Sequence, residues 1–412
     1  MNRRHFLMSA TTAAASTGWA AASDRVRFAI IGVGSRGSAH INELLTVPDI
    51  EIAALVEADG NRAEAGSSKV FARTGKRPHL ETDLRRMLED KNIDAVTIAT
   101  PNHWHTLAAI WSMQAGKDVY VEKPVSHNIH ESIRLVETAR SLKRVAAGGT
   151  QRRWHGRFRK AVELLHAGAI GDIYQTNFFF PGGRDSIGFK PVEPPPANLN
   201  WDLWLGPAQM QPYHANLVHY NWHWFWDFGD GELGNNGIHL IDVLRWGMNK
   251  RLPVRVYSTG GRFGYRDQAQ TPNTQTVTWV FDDGTSMIAE LRGLYTREKM
   301  SWDLYGTRGH MHIDADGRFT IRMGRNKTDE PEVQPLETIN HFGNFAEVVR
   351  SRNLAALPAE IEETALSTNF CHLGNIAWRL QRELKFDPKT MQFSDAEANK
   401  YLTRNYRSPY VV

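Results

Sequence analysis

Cysteine is nearly absent from this chain, since Cys371 is its single example in 412 residues. One cysteine excludes an intrachain disulfide and a cysteine-based zinc site. An excess of charge is also lacking, because 49 basic and 45 acidic side chains leave a net charge of +4. Such a small, dispersed excess gives no support to nucleic-acid or membrane-surface binding. Beyond the N-terminal segment no apolar run reaches about 18 residues, which excludes an integral membrane protein.

The length of the sequence and its fractions of hydrophobic and charged residues predict a globular protein of several domains. At roughly 150 residues per domain, 412 residues correspond to two or three domains. Hydrophobic residues make up 41% and charged residues 23%, which argues against bulk disorder. The one unusual count is that of tryptophan, at 13. Six of these tryptophans fall between Trp201 and Trp246, which directs attention to that stretch.

The first 23 residues predict a cleavable export signal. They place Arg3-Arg4 ahead of Phe6-Leu7, continue through small and apolar residues, and reach Ala20-Ala21-Ala22. A positive start, an apolar middle and a small-residue exit are typical of a signal peptide. The arginine pair favours the twin-arginine type, which is an address read by a receptor and not an anchor. We therefore expect a periplasmic or exported protein without a membrane anchor; the alternative is a frayed terminus with a chance arginine pair.

A glycine-rich turn after the first strand predicts a dinucleotide site. The apolar run Val26–Ile31 leads into this turn, and a helical stretch follows it. The turn reads Gly32-Val33-Gly34-Ser35-Arg36-Gly37. In such a turn Gly32 permits the bend, Gly34 admits a pyrophosphate and Gly37 packs helix on strand. We expect every residue of the turn except Val33 to serve the cofactor, with the helix N-terminus facing phosphate; the alternative is a turn without a ligand.

An acid at the end of the second predicted strand indicates which dinucleotide binds. Glu57 follows the run 51–56 and lies twenty residues beyond Gly37. An acid at this distance holds the ribose hydroxyls of the adenosine half. A carboxylate there repels a 2′-phosphate, so the sequence favours NAD over NADP. Arg62, five residues further on, weakens that discrimination.

Two further strand ends bring polar residues to the same edge of the predicted parallel sheet. Ligands of such sheets bind beyond the carboxyl ends of the strands. The predicted cofactor contacts at these ends are Thr100, Pro101, Asn102, His105, Glu122 and Lys123. Lys123 is expected beside nicotinamide and substrate with a lowered pKa; the alternative is a solvated surface charge. His103 and His105 are as compatible with packing around the cofactor as with catalysis.

From residue 150 onward the pattern changes from strands alternating with helices to successive hairpins. The predicted strands are 173–180, 254–259, 274–281, 285–291, 302–306, 311–315 and 319–323. Hairpins after βαβ units indicate an α/β protein with two domains. These are a Rossmann domain over 24–149 and an α+β domain with a large, mostly antiparallel open sheet over 150–385. A helix over 362–384 is expected to pack onto the sheets, and residues 386–412 form a C-terminal tail.

The stretch 221–242 combines aromatic and polar residues and predicts the substrate site. Asn235 and His239 are four residues apart, so a helix places them on one face, and Asp242 is positioned to orient His239. The alternative is a core histidine with a capping asparagine. Trp222 and Trp224 share a face if extended and suit sugar rings; otherwise they pack the domain interface. The predicted substrate contacts are Arg152, Trp222, Trp224, Asn235, Asn236 and His239.

Three motifs, in this order, resemble those of the Gfo/Idh/MocA oxidoreductases. They are Ile31-Gly32-x-Gly34-x-x-Gly37, Thr100-Pro101-x-x-x-His105 and Glu122-Lys123-Pro124. The resemblance implies an open sheet that carries substrate contacts on one side and subunit contacts on the other, hence a homo-oligomer. It also implies a histidine opposite the lysine, which His239 matches. The family has an aspartate where this chain has Asn235, and because an amide accepts no proton at neutral pH, proton transfer falls to His239 and Lys123.

These observations predict an NAD-dependent oxidoreductase acting on a sugar or polyol, with Lys123, His239 and Asn235 as catalytic residues. Because an exported protein meets no pool of free NAD, the cofactor is expected to be tightly bound and recycled in place. Two alternatives are NAD-dependent glycoside cleavage through transient ring oxidation, as in some relatives, and a sugar-binding protein without turnover. No metal is predicted, although one conceivable set of ligands exists. That set is His219, His223, Asp227 and Asp230.

Overall fold

The computed structural model of the protein describes residues 25–296, 298–325, 327–329 and 334–412. The predicted signal peptide, residues 1–23, lies outside the described residues. Among the described residues, none of the helices combines the length and the hydropathy that a membrane crossing requires. Two sheets, of six and ten strands, organise the part of the chain that the structure describes.

The first sheet is a doubly wound Rossmann sheet, as predicted. Its strands are β1 (Val26–Ile31), β2 (Ile50–Val56), β3 (His79–Glu81), β4 (Ala95–Ile98), β5 (Asp118–Val121) and β6 (Ala146–Gly148). The helices between them are α1 (Ser35–Leu44), α2 (Gly60–Thr74), α3 (Leu84–Leu88), α4 (Asn102–Gln114) and α5 (Ile129–Ser141). All strands are parallel, in the order β3-β2-β1-β4-β5-β6.

The strand order determines where a ligand can bind. β4 and β5 are buried at every position, because helices cover both faces of a parallel sheet. The order of the strands reverses between β1 and β4, and such a switch point opens a crevice beyond the carboxyl ends of the strands. The glycine turn after β1, Glu57 after β2, Thr100 after β4 and Lys123 after β5 all lie at this edge.

The second sheet is large, open and mostly antiparallel, which confirms the predicted fold class. Its strands are β7 (Ile173–Pro181), β8 (Arg255–Gly261), β9 (Thr274–Val280), β10 (Ser286–Arg292), β11 (Ser301–Gly306), β12 (Gly309–Asp314), β13 (Phe319–Met323), β14 (Lys327–Asp329), β15 (Leu384–Asp387) and β16 (Gln392–Phe393). The order is β14-β13-β12-β11-β7-β10-β9-β8-β15-β16, and β7 pairs with β10 in parallel. The helices of this half are α6 (Gly156–His166), α7 (Trp201–Leu205), α8 (Ile238–Met248), α9 (His341–Ser351), α10 (Ile361–Leu380) and α11 (Ala396–Asn399).

One face of the second sheet forms a core with α8 and α10. Buried and half-buried residues alternate along β9 and β10, as expected for a sheet covered on one side. Trp279, Trp302 and Phe370 are fully buried in this core. The opposite face of the sheet is partly exposed along the same strands.

Elements from the C-terminal part of the chain also pack on the first sheet. α9 places Phe342 and Phe345 beside Tyr120 of β5, and Tyr410 contacts Trp104 of α4. α10 is buried along most of its length because it lies between the two sheets, so its pattern is less amphipathic than the sequence suggests. It ends at Leu380, where Gln381 adopts a left-handed conformation with φ of 51°.

Candidate active site

The glycine turn after β1 leaves room for a phosphate group. A Cβ on Gly32 would lie 2.7 Å from the backbone nitrogen of Thr100, and one on Gly37 would lie 1.8 Å from the carbonyl oxygen of Gly32. Above Gly34 the nearest atom to such a Cβ, on Arg62, is 3.8 Å away. Within the described ranges no side chain caps the N-terminus of α1, which leaves its N–H groups available to a pyrophosphate. This geometry fits a dinucleotide, with Gly37 supporting the turn from beneath.

Glu57 holds the turn and the end of β2 together. Its Oε2 accepts a hydrogen bond from the N–H of Val33 at 2.6 Å, and its Oε1 accepts one from the N–H of Asp59 at 3.1 Å. Burial raises the pKa of Glu57, while these two N–H groups act in the opposite direction. Glu57 and Arg62 both line the cleft beyond the strand ends. The carboxyl group of Glu57 and the guanidinium of Arg62 therefore both face the position expected for the adenosine ribose.

Glu122 fixes α1 against the end of β5. Its Oε1 accepts a hydrogen bond from Arg36 Nε at 2.7 Å and lies 3.0 Å from His40 Nε2. Burial alone would raise the pKa of Glu122, but Arg36, His40 and Lys123 hold it well below its usual range. The carboxylate is therefore charged. It anchors the strand end from which Lys123 extends.

Lys123 connects the first domain to the start of α8. Its Nζ donates a hydrogen bond to the carbonyl oxygen of Asn235 at 2.6 Å. Asn235 lies in a π-helical turn, Leu233–Gly237, immediately before α8. A π turn interrupts the α-helical hydrogen-bond pattern, and such turns are frequent at functional sites. Asn235 thus contacts Lys123 through its backbone, so this contact does not depend on the missing aspartate.

The amine and the imidazole lie in one cleft of about 350 Å³ that also contains the glycine turn. Burial lowers the pKa of Lys123, and the charge of Glu122 opposes that shift. Burial and then the charge of Lys123 hold the pKa of His239 well below its usual range. His239 is therefore a neutral imidazole that can accept a proton, and Lys123 supplies positive charge beside it.

Most of the predicted site residues line this cleft. They are Gly32, Gly34, Ser35, Arg36, Glu57, Thr100, Pro101, Asn102, His105, Glu122, Lys123, Trp222, Asn235 and His239. Those from the first domain come from four strand ends, whereas the last three come from the segment before α8 and from α8 itself. The structure thus brings the cofactor candidates and the catalytic candidates together.

The tryptophan segment departs from the prediction. Asn221–Trp224 form a short 3-10 helix and not an extended strand, so Trp222 and Trp224 do not share a face. Trp222 lines the cleft. Trp224 is 2% exposed and packs under the guanidinium of Arg262, 4.9 Å from its ring centre. Trp224 is therefore a packing residue of the second domain, which corrects its assignment as a substrate contact.

Two other predicted substrate contacts also lie outside the main cleft. The side-chain amide of Asn236 donates a hydrogen bond to Glu232, four residues earlier in the chain. Arg152 lines a neighbouring cavity that shares Gln151 and His239 with the main cleft.

Asp242 does not orient His239, contrary to the prediction. Its two carboxylate oxygens accept hydrogen bonds of 2.9–3.1 Å from the guanidinium of Arg153. Ser367 Oγ donates a further one at 2.7 Å. Asp242 and Arg153 are both almost completely buried. A buried guanidinium needs a carboxylate partner, and this requirement determines the direction of Asp242.

His103 and His105 have packing roles in the structure. His103 Nε2 lies 3.0 Å from the carbonyl oxygen of Trp204, and burial lowers its pKa to about 3. The two ring nitrogens of His105 lie 2.6 and 2.8 Å from the carbonyl oxygens of Pro124 and Thr100. His105 therefore joins the two loops that follow β4 and β5.

The conceivable metal ligands do not converge. His219 Nε2 lies 2.9 Å from Asp59, and His223 Nδ1 lies 2.8 Å from the carbonyl oxygen of Tyr220. Within the described ranges no group of three histidine, cysteine, aspartate or glutamate side chains is arranged to hold a metal ion.

Several residues of the site were not predicted. His40 follows Arg36 by four residues on α1, and that spacing was an available signal because it places both on one helix face. Gln151 follows the end of β6 and lines the cleft, so its position after a parallel strand was also informative. His219 and Tyr220 reach the cleft from a segment without helix or strand. Its sequence has no periodicity that would have indicated this.

Comparisons with known families match the two domains separately. Residues 26–149 match the Gfo/Idh/MocA model described as "Oxidoreductase family, NAD-binding Rossmann fold". Residues 168–412, more than half of the chain, match its "Oxidoreductase family, C-terminal alpha/beta domain". The chain belongs to the Gfo/Idh/MocA oxidoreductase family. Its first domain is accordingly an NAD-binding Rossmann domain.

Curated relatives of this family member include sugar-related enzymes. It is 27% identical over 154 residues to glycosyl hydrolase family 109 protein 1 of Akkermansia muciniphila, which covers 36% of this chain and 32% of that protein. It is 31% identical over 172 residues to inositol 2-dehydrogenase 1 of Saccharopolyspora erythraea, covering 41% and 50%. The matches thus span a third and a half of those two relatives. The uncharacterized oxidoreductase YrbE of Bacillus subtilis is 28% identical over 87% of this chain and 94% of its own.

Solved structures share the whole architecture. The WlbA dehydrogenase of Chromobacterium violaceum, in complex with NADH and UDP-GlcNAcA, has a TM-score of 0.69 at 17% identity over 89% of this chain and 97% of its own. The aldose-aldose oxidoreductase of Caulobacter crescentus, complexed with glycerol, has a TM-score of 0.66 at 16% identity over 88% and 100%. At these identities the likeness shows the fold.

Proposed function

We propose that the protein is an NAD-dependent oxidoreductase that acts on a hydroxyl group of a sugar or polyol. The observation that supports this most is the continuity of one cleft from the glycine turn and Glu57 to Lys123 and His239. The turn, Glu57 and the strand-end residues would hold NAD, which supplies a hydride acceptor when bound. The names of the inositol dehydrogenase and aldose-aldose oxidoreductase relatives support the substrate class.

The side chains of the cleft handle the proton of the reacting hydroxyl. His239, neutral because of its burial, accepts that proton at a ring nitrogen. Lys123 is held in place by its hydrogen bond to the carbonyl oxygen of Asn235. It donates a second hydrogen bond to the oxygen of the reacting hydroxyl and stabilises the negative charge that develops on that oxygen. The side-chain amide of Asn235 can bind a hydroxyl but takes no proton. This division of roles makes His239 the base and Lys123 the electrostatic partner.

Native mass spectrometry of protein purified from the exported fraction tests the proposed function. The expected result is a mass increase equal to one dinucleotide per chain, together with an absorbance change at 340 nm on addition of a sugar or polyol panel. Protein that carries no dinucleotide and gains none from added NAD contradicts the proposal.

The pH dependence of kcat/KM separates the two candidate bases. Because the pKa of His239 is lowered, its neutral form persists below the usual value of about 6.5, and the acid limb of the profile is expected below that pH. Because the pKa of Lys123 is lowered, the amine loses its proton at a pH below the usual pKa of about 10.5. We therefore expect the alkaline limb of the profile, where activity falls, to lie below about pH 10.5. A rate that instead rises on the alkaline side identifies Lys123 as the base.

The choice of NAD over NADP is proposed to rest on Glu57. Glu57→Gln keeps the size of the side chain but removes the charge that repels a 2′-phosphate. We expect the ratio of the NADP and NAD dissociation constants to shift about tenfold or more toward NADP, with Arg62 assisting. Calorimetric titration of both dinucleotides measures this shift. Glu64→Gln, which removes the same charge from the exposed side of α2, is the control, and equal ratios in both variants would refute the role of Glu57.

Export and self-association are further parts of the proposal. The N-terminal sequence supports twin-arginine export to the periplasm, and a protein that leaves the cytoplasm needs a tightly bound NAD that a second substrate or a later step reoxidises. On the outer face of the second sheet Phe179 and Ile288 are half-buried and Tyr257 is exposed, which supports packing of a second copy there. The partner substrate is expected to be a small carbohydrate, with no role for nucleic acid.

A second candidate function is NAD-dependent cleavage of a glycoside. The observation that favours it is the match to several proteins named glycosyl hydrolase family 109, at 27–32% identity over 120–156 residues. In that reaction the bound NAD would oxidise a sugar carbon transiently, the substituent would leave by elimination, water would add to the resulting double bond, and the hydride would return to the oxidised carbon. Release of aglycone from a chromogenic glycoside without net NADH would favour cleavage. Sugar binding without either signal would favour a protein that only binds.

A further inference from the structure

Arg152 differs from its neighbours in having no acidic partner among the residues that the structure describes. Arg153 pairs with Asp242, and Arg245 pairs with Glu363. Among the described residues no carboxylate pairs with Arg152, and burial lowers its pKa to about 10. A guanidinium that is largely withdrawn from water without a counter-ion lowers the stability of the folded state. Its retention is explained if a ligand supplies the missing negative charge.

The guanidinium of Arg152 is held in place by aromatic packing. It lies 4.6 Å from the ring centre of Trp302 and 5.1 Å from that of Phe158. Its Nη2 has only a weak contact with the sulfur of Met300 at 3.8 Å, and its buried Nε has no hydrogen-bond partner in the described part of the chain. The cation is thus oriented while its hydrogen-bonding capacity remains largely unused.

Arg152 lines a cavity of about 410 Å³ that adjoins the active-site cleft. We call it the Arg152 cavity. It is lined by Gln151, Arg152, His155, Arg157, Phe158, His239, Ala315 and Asp316. Gln151 and His239 line both cavities. A sugar whose reacting hydroxyl faces His239 therefore has space to extend toward Arg152.

The remaining lining groups favour an anion in the Arg152 cavity. The N-terminus of the eleven-residue helix α6 lies there, and its first residues carry the partial positive charge of a helix start. His155 Nδ1 is buried without a hydrogen-bond partner among the described residues. The acidic lining residue, Asp316, is exposed and lies 3.6 Å from Arg318. Solvent therefore screens much of its charge.

We propose that the substrate carries a carboxylate group and that Arg152 binds it, which makes the substrate class an acidic sugar such as a uronic acid. This inference rests on the proposed oxidoreductase function for its placement beside His239. One guanidinium matches a monoanionic carboxylate in charge and can bind its two oxygens with parallel hydrogen bonds. A phosphate dianion in the same place would need Arg157 for its second charge, and the guanidinium of Arg157 already donates a hydrogen bond to the carbonyl oxygen of Asp316 at 3.2 Å.

Calorimetric titration of the NAD-loaded protein with matched acid and neutral sugars tests the proposal. The probes are D-glucuronate with D-glucose, D-galacturonate with D-galactose, and D-glucose 6-phosphate. We expect at least one uronate to bind about tenfold or more tightly than its neutral partner. Equal binding within every pair, no binding of either uronate, or tightest binding of the phosphate overturns the inference.

Variants of Arg152 identify the group responsible. Arg152→Met keeps much of the packing on Trp302 and is expected to remove the preference for the acid while leaving the affinity for the neutral sugar within a few-fold. Arg152→Lys keeps the charge but not the paired N–H groups, so it retains part of the preference. Arg159→Met, seven residues further along and bonded to the backbone of Glu337, is the control. An acid preference that survives in Arg152→Met contradicts the proposed contact.

A separate readout distinguishes this inference from the proposed function. Reduction of bound NAD, followed at 340 nm, reports oxidation and does not depend on which sugar binds more tightly. Uronate binding that requires Arg152 but reduces no NAD would support the carboxylate site and contradict the oxidoreductase. Oxidation of neutral sugars without an acid preference would support the oxidoreductase and overturn the carboxylate site.

Discussion

Replacement of Lys123 by methionine is expected to lower kcat for sugar oxidation by about 10²-fold or more, the usual scale for a positioned proton-transfer or charged group. Methionine preserves the length and apolar contacts of the side chain, but it removes the positive charge beside His239 and the hydrogen bond to the carbonyl oxygen of Asn235. Single-turnover absorbance at 340 nm measures the rate, and calorimetry separately measures the affinity for NAD.

Two further variants serve as controls for Lys123→Met. Lys91→Met removes the same charge from an exposed loop of the first domain and should leave kcat unchanged. Lys123→Arg keeps the charge but changes its geometry, so it should recover only part of the rate. Near-normal turnover in Lys123→Met would remove this residue from the mechanism. A large loss of NAD affinity would instead assign it a role in holding the cofactor.

Local features of the sequence were sufficient to predict the first domain. β1 has the expected bounds, because a continuous apolar run followed by a glycine turn has few other structural solutions. The glycine turn was interpretable residue by residue, since a Cβ at Gly37 has no space. Parallel strands all end at one edge of the sheet, and for this reason Glu57 and Lys123 could be predicted to lie together in one cleft.

The second domain was less predictable because its contacts join distant parts of the chain. Asp242 was expected beside His239 because only three residues separate them. Its real partner, Arg153, is 89 residues away in the sequence. The spacing of residues on a helix predicts which of them share a face. It does not predict which side chain pairs with a buried guanidinium from a distant segment. The π turn around Asn235 has no marker in the sequence, and it determines that the backbone of Asn235 contacts Lys123.

Removal of the buried carboxylate of Asp242 should destabilise the protein more than removal of an exposed one. In Asp242→Asn, the partly exposed Glu363 is the acidic partner that remains for Arg153 among the described residues, so an incompletely paired cation remains buried. The expected loss in the free energy of unfolding is about 3–5 kcal/mol, measured by urea denaturation. Asp283→Asn, which breaks the exposed ion pair with Lys250, is the matched control and should cost about 1 kcal/mol or less.

The same variant tests whether Asp242 acts on His239 at all. Since Asp242 bonds to Arg153 and Ser367 and not to His239, the acid limb of kcat/KM should stay at the same pH in Asp242→Asn under conditions where the variant is folded. A shift of that limb would restore the role that the helix spacing suggested. The double variant Arg153→Met with Asp242→Leu replaces both charges by apolar groups, and it should recover much of the lost stability because no unpaired charge remains buried. Recovery in the double variant together with an unmoved acid limb would establish the pair as structural and leave the proton chemistry to His239.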